Sequence, residues 1–238
     1  MVVKVGNRAT SRTMVGEAAL MLDRVPIAIG FAVIGWCLGW ASAWLSDWLM
    51  AKDDLPRAGQ RPLLRDPLVQ GASAAVWAAT PFFLQNSDWL RWAETGLVAV
   101  PLIQVAVTDF RTRYVYTVMA ALGAALGLAF GWQIHTVEMP WWTSPAGAVG
   151  GFLAFGFLWL LGRLIYRGRV EAMARGDITI AAMVGAGAAG CTPQALFLGV
   201  LFGGLIAVAL LVGRRSRHAT MPYGPGLCLG GLAALFWC

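Results

Sequence analysis

Apolar runs of a length suited to lipid recur along this chain, at residues 26–50, 68–84, 92–108, 115–132, 146–166, 178–190, 195–213 and 222–237. A soluble core could not hide so much apolar surface, since 58% of the 238 residues are hydrophobic and only 13% are charged. Lipid must therefore be the solvent for much of the chain. A segment in lipid has to satisfy its own backbone hydrogen bonds, and the alternation of barrel strands is missing, so each run is expected to be a helix. The expected fold is an all-α polytopic membrane protein, a bundle of about eight transmembrane helices. Residues 1–25 read as an N-terminal tail and 26–238 as one transmembrane domain with a short loop at 51–67. Glycines four apart recur within the runs, as Gly35/Gly39, Gly123/Gly127, Gly127/Gly131, Gly147/Gly151, Gly199/Gly203 and Gly226/Gly230. Small residues at that spacing let helices pack closely.

The net charge of +6 could suggest a nucleic-acid partner, but its placement argues for topology instead. Of the 18 basic residues, 13 fall in alternate loops: Lys52, Arg57, Arg61 and Arg65; Arg111 and Arg113; Arg163, Arg167, Arg169 and Arg175; Arg214, Arg215 and Arg217. The intervening loops hold Arg91 and residues such as Trp141 and Trp142 that suit a membrane interface. Alternate basic loops are the cytoplasmic ones, so no nucleic-acid partner is expected. The tail, with Lys4, Arg8, Arg12 and Arg24, falls outside under this arrangement. A surface-lying amphipathic stretch or an over-long start would account for it. A signal peptide would not, because 14–22 is short and interrupted by Glu17.

Cys37, Cys191, Cys228 and Cys238 are scattered with no CxxC spacing, which reads as buried small hydrophobes rather than a disulfide or zinc site. His135 and His218 both fall in loops. That leaves no HExxH pattern for a zinc protease and no histidine base within a span for a serine hydrolase. Carboxylate chemistry or none remains, with no metal or cofactor implied.

Two acids sit where acids are expensive. Asp109 ends the run 96–108 and Asp177 opens the run 178–189, and an ionisable group at or in the bilayer is a functional hypothesis by default. With the basic loops inside, span three ends at the inner face at Asp109. Spans four and five go out and return, so span six starts on the same face at Asp177. Span six is also short, about 20 Å for thirteen residues, and built of small side chains. Each acid alone could be ordinary: Asp177 a helix N-cap, Asp109 a solvated loop charge. Jointly they have no equal, because Asp53, Asp54 and Asp66 lie in a hydrophilic loop and Asp88 and Glu94 face the opposite side. Asp47 is the one serious third candidate.

Three stretches then resemble the type IV prepilin peptidases, members of the GxGD intramembrane aspartyl proteases. They are Val107-Thr-Asp109-Phe-Arg-Thr-Arg113, Ala174-Arg-Gly-Asp177 with the helix that follows it to Gly185, and Met221-Pro-Tyr-Gly-Pro225. Weaker likeness, through 65–72, extends over nearly the whole chain after residue 25. Ala174 replaces the first glycine of GxGD, Thr179 stands where lysine is usual, and Tyr223 replaces a phenylalanine. Larger members carry two cysteine pairs, read as a zinc site, in the first cytoplasmic loop, and methylate the new N-terminus with S-adenosylmethionine. Residues 51–67 here are short and hold no cysteine.

The resemblance implies an aspartic endopeptidase that removes leader peptides from prepilin or pseudopilin substrates at the cytoplasmic face of the cell (inner) membrane, with 26–238 as the peptidase domain. Asp109 and Asp177 would hold one water between them and share one proton, as repulsion and poor solvation favour. Gly176 would let substrate backbone approach Asp177. Arg111 and Arg175 would oppose proton sharing if their guanidiniums pointed inward. The rival reading is a transporter or assembly subunit using intramembrane acids, which calls for a polar path across the bundle, and spans three and six offer no ionisable partner in their outer halves. A narrower rival is an inactive relative, suggested by Ala174 and Thr179.

Overall fold

The computed structural model describes residues 8–52, 67–84, 89–112, 114–133, 140–165, 167, 173–214 and 223–237. Within them lie eight α-helices: α1 (Arg8–Lys52), α2 (Pro67–Phe83), α3 (Trp89–Thr112), α4 (Thr117–Gln133), α5 (Thr143–Ile165), α6 (Arg175–Ala188), α7 (Thr192–Arg214) and α8 (Gly224–Trp237). No strand occurs among the described residues. Four segments are long and apolar enough to cross a membrane, namely Leu22–Lys52, Trp89–Thr112, Thr143–Ile165 and Arg175–Leu210, while Thr117–Gly131 and Gly224–Trp237 are shorter apolar helices. The chain is a polytopic all-α membrane protein.

Helix boundaries depart from the apolar runs where polar or proline residues continue a helix. α1 passes through Pro26 and begins at Arg8, so the tail from residue 8 onward is continuous with the first span. α3 runs one turn beyond the apolar stretch to Thr112, and α6 starts at Arg175. Both key aspartates are therefore inside helices, Asp109 in a last turn and Asp177 in a first.

Close contacts at glycines define the order of packing. A Cβ on Gly39 would lie 3.0 Å from the Gln70 Cα and the Ser73 Oγ, and one on Gly35 would lie 2.8 Å from Trp77, so α1 and α2 run antiparallel. Gly147 and Gly151 of α5 abut Gly185 and Ala181 of α6, again antiparallel, while Gly123 and Gly127 of α4 meet Met183 and Ala186 in parallel. In α8, Gly226 and Gly230 rest on Gly199, Gly203 and Ala195 of α7, and Gly231 faces Val184 of α6 and Leu102 of α3. α6 is thus enclosed by α3, α4, α5, α7 and α8, and Asp177, Ile180, Ala181 and every residue from Met183 to Ala188 are buried. The C-terminal ends of α1, α3 and α5 and the starts of α2, α4, α6 and α8 share one face of the bundle.

α6 ends because Ala189 adopts positive φ (47°), and a 3-10 turn, Ala189–Cys191, reverses the chain into α7. Side-chain hydroxyls add hydrogen bonds to backbone carbonyls at this end, where Gly185 and Ala189 also accept backbone N–H groups. The Thr192 hydroxyl is shared between the Gly185 and Ala189 carbonyls (3.1 and 2.6 Å), and the Ser144 hydroxyl between Gly127 and Ala186 (3.0 and 2.7 Å). Cys191 in this turn is disulfide-bonded, whereas Cys228 is free and buried, and Cys37 is free but exposed rather than buried as expected. The expectation of four unpaired cysteines is corrected at Cys191. Sequence spacing shows only local pairing.

The α5–α6 seam gives a direct test of packing. A Cβ at Gly185 would fall 2.6 Å from the Gly147 carbonyl carbon, which is backbone and cannot yield, whereas one at Gly150 meets nothing within 4 Å. Gly185→Val is expected to lower stability by about 2 kcal/mol or more, and Gly150→Val by no more than about 0.5 kcal/mol, as read from unfolding of the purified protein in one detergent.

Candidate active site

Asp109 and Asp177 converge at the shared end of the bundle, and both are almost wholly buried, at 6% and 4% exposure. Asp177 feels the charge of Asp109, and the Cys228 thiol on α8 feels both carboxylates. Asp177 is the third residue of α6, and the N-cap is Ala174, which has extended backbone (φ −74°, ψ 146°) and makes no side-chain cap bond. The Asp177 N–H donates to the Ala174 carbonyl (3.1 Å). Its carboxylate is therefore not serving as the N-cap. Asp109 is likewise no solvated loop charge, since the neighbours that face out are Phe110 and Arg111.

The walls of the site come from three further elements. Gly224, the first residue of α8, lies against the Asp109 carboxylate and the Ile180 side chain. Gly176 lies against Val115 at the entry to α4, where a Cβ would fall 2.9 Å from the Val115 Cβ. Tyr116 beside it is buried. Gly176 is helical rather than in the left-handed region, so close packing on Val115 accounts for its small size, not backbone freedom. Gly224, Ile180, Val115 and Cys228 were not singled out as site residues by sequence reasoning. The Pro-Tyr-Gly-Pro stretch was the signal for the first of them.

Arg175 does not lean over the carboxylates. Its guanidinium stacks on the Trp159 ring of α5 (5.7 Å to the centroid), beside that of Arg163 (5.5 Å), an arrangement favoured by the ring quadrupole. Arg111 is exposed. Asp47 is half-buried near the end of α1, and the charged group acting on Asp177 is Asp109. Arg57, Arg113, Arg169, Arg215 and His135 lie outside the described residues.

The N-terminal half of α3, expected to hold no ionisable partner, does contain ionisable groups. Because the helix begins at Trp89, Glu94 is buried within it and pairs with Arg91 at 2.9 Å, one turn apart. The pair neutralises itself at the far end from the aspartates. Between them on the same helix, Gln104 is fully buried and neither its Oε1 nor its Nε2 meets a hydrogen-bond partner. Among the described residues, no group of three or more histidines, cysteines or acids has the arrangement of a metal site.

A buried carboxylate pair at one face of a polytopic helical bundle is the class of site the fold defines. Residues 96–212, from early α3 to near the end of α7 and including both aspartates, match the model of the type IV leader peptidase family. It is 30% identical over 148 residues to a prepilin leader peptidase/N-methyltransferase of Pseudomonas putida, covering 60% of this chain and 50% of that protein. It is also 30% identical over 183 residues to the protein of the same description in Burkholderia pseudomallei strain 1026b, covering 73% of this chain and 55% of that protein. The chain thus spans about half the length of the curated relatives it matches. No solved structure gives a significant match.

Proposed function

We propose that this protein is an intramembrane aspartic endopeptidase that removes the leader from type IV prepilin-like proteins at the cytoplasmic face of the cell membrane. The observation that carries the reading is the meeting of two buried carboxylates, from α3 and α6, at one end of the bundle. In this mechanism the pair holds one water and shares one proton. The ionised carboxylate takes a proton from the water as it attacks the scissile carbonyl, and the protonated one donates to the developing oxyanion or the leaving amine. Low solvation and mutual repulsion favour the singly protonated pair near neutral pH. The stacking of Arg175 on Trp159 supports it, since a guanidinium over the site would hold both acids ionised. Neither metal nor S-adenosylmethionine enters these steps.

The transporter reading finds an acid in the outer half of α3, but Glu94 is already paired with Arg91. The peptidase reading is tested by incubating the purified protein with candidate prepilins and following the mass of each. A drop corresponding to cleavage at one defined leader junction is expected, and intact substrates throughout would count against it.

Orientation has its own test. Cysteine introduced at Arg57, Arg113, Arg169 or Arg215 should be protected from an impermeant thiol reagent in intact cells, and cysteine at His135 should be labelled. Labelling at Arg113 but not Arg169 would put the aspartates on opposite faces and end the shared-site reading.

A further inference from the structure

The Pro-Tyr-Gly-Pro stretch at the start of α8 has no role in the mechanism above, yet it touches the site. A Cβ built on Gly224 would overlap the Asp109 Oδ2, and would lie 3.0 Å from the Asp109 Cγ and 2.9 Å from the Ile180 Cδ1. The carboxylate of Asp109 thus occupies the volume that any other residue at 224 would fill.

α8 has no room to retreat. On its other side, Gly226 and Gly230 press backbone to backbone on Gly199, Gly203 and Ala195 of α7. Further along the face that bears Gly224 come Cys228, within the field of both carboxylates, and Gly231, facing Val184 and Leu102. The helix is clamped on α7, with its first turn set against Asp109. We propose that Gly224 is a positioning residue, and that the side-chain-free start of α8 is the backstop that holds the Asp109 carboxylate toward Asp177. This rests on Asp109 acting in peptide hydrolysis and adds which element aims it.

The two collisions at Gly224 can be separated. Ile180→Val removes the Cδ1 atom and with it the apolar collision, leaving only the one with Asp109. Alanine at a helix start costs the helix nothing, and its propensity is better than that of glycine. The experiment measures kcat, KM and thermal unfolding for the wild type, Gly224→Ala, Ile180→Val, the double variant and Gly231→Ala, acting on one prepilin. Gly231→Ala is the control on the same helix, because its Cβ would meet only side-chain tips, the nearest at 3.1 Å.

Gly224→Ala is expected to lose about a hundredfold in kcat, as misplacement of a reacting group does, with KM and thermal midpoint near the wild-type values. Ile180→Val should not restore it, and Gly231→Ala should stay within about threefold of the wild type. Retained kcat in Gly224→Ala, a loss carried by KM, or restoration by Ile180→Val would each overturn the proposal. Should Gly224→Ala alone fail to fold, the double variant, relieved of the apolar collision, gives the same reading of kcat. Failure of the peptidase reading looks different: the wild type would be inactive, or Asp109→Asn would cleave normally.

Discussion

Asp109→Asn and Asp177→Asn are each expected to abolish prepilin cleavage, by about a thousandfold or more, in protein that still inserts and folds. Asparagine keeps the size of the side chain and removes the group that titrates, and both positions are buried against neighbours that would report a change of volume. Neither amide can take a proton from water or return one to a leaving amine, so loss of either should cost nearly as much as loss of both. Asp47→Asn should cleave at close to the wild-type rate, since Asp47 is half-buried on α1 and Asp109 is the charged group acting on Asp177. Turnover by membranes matched for protein content decides it. A normal rate in either of the first two variants would remove that residue from the chemistry, and a dead Asp47→Asn beside one active partner would mean a different pair.

Gly176→Val should cost about ten- to a hundredfold in turnover, while Ala174→Gly holds or gains. The valine Cβ would fall 2.9 Å from the Val115 Cβ, with its two methyls still to place. Relief requires the first turn of α6 to move off α4, and Asp177 is the next residue. A displacement of about 1 Å at a reacting group is enough for a loss of that size. Ala174 is exposed with extended backbone that glycine adopts freely, so its replacement leaves the turn intact. Both variants are compared on one prepilin at equal expression. Equal activity would mean that the entry to α6 accepts bulk and that Asp177 need not be held closely.

Much of this site was legible before any coordinates. Two intervening spans put Asp109 and Asp177 on one face, and glycines four apart marked the seams that now join α1 to α2, α5 to α6 and α7 to α8. Parity and spacing are properties of the chain itself, so they survive folding. What could not be read depends on which side of each helix finds which neighbour. The placement of Gly224 on Asp109 and the turning of Arg175 onto Trp159 join residues far apart in sequence. Glu94 was overlooked for a simpler reason. It lies within the expected span 92–108, but the arginine one turn away that makes the buried acid tolerable lies just outside that span.

The enclosure of α6 has a consequence for how the protein is made. Fourteen residues span only about 21 Å, half of them alanine or glycine, with Arg175 and Asp177 in the first turn. Such a segment partitions weakly into a bilayer on its own during synthesis, because small side chains gain little there and the charged ones resist. Three residues separate it from α7, which is 23 residues long and rich in leucine, valine and phenylalanine. The two are therefore expected to enter the translocon's lateral exit as one hairpin, with α7 supplying the partitioning that α6 lacks. A nascent chain cut after Ala188 should leave α6 outside the bilayer, and one extended through Arg214 should bring it in, so the second carboxylate reaches its station only when the helix that follows it has been translated.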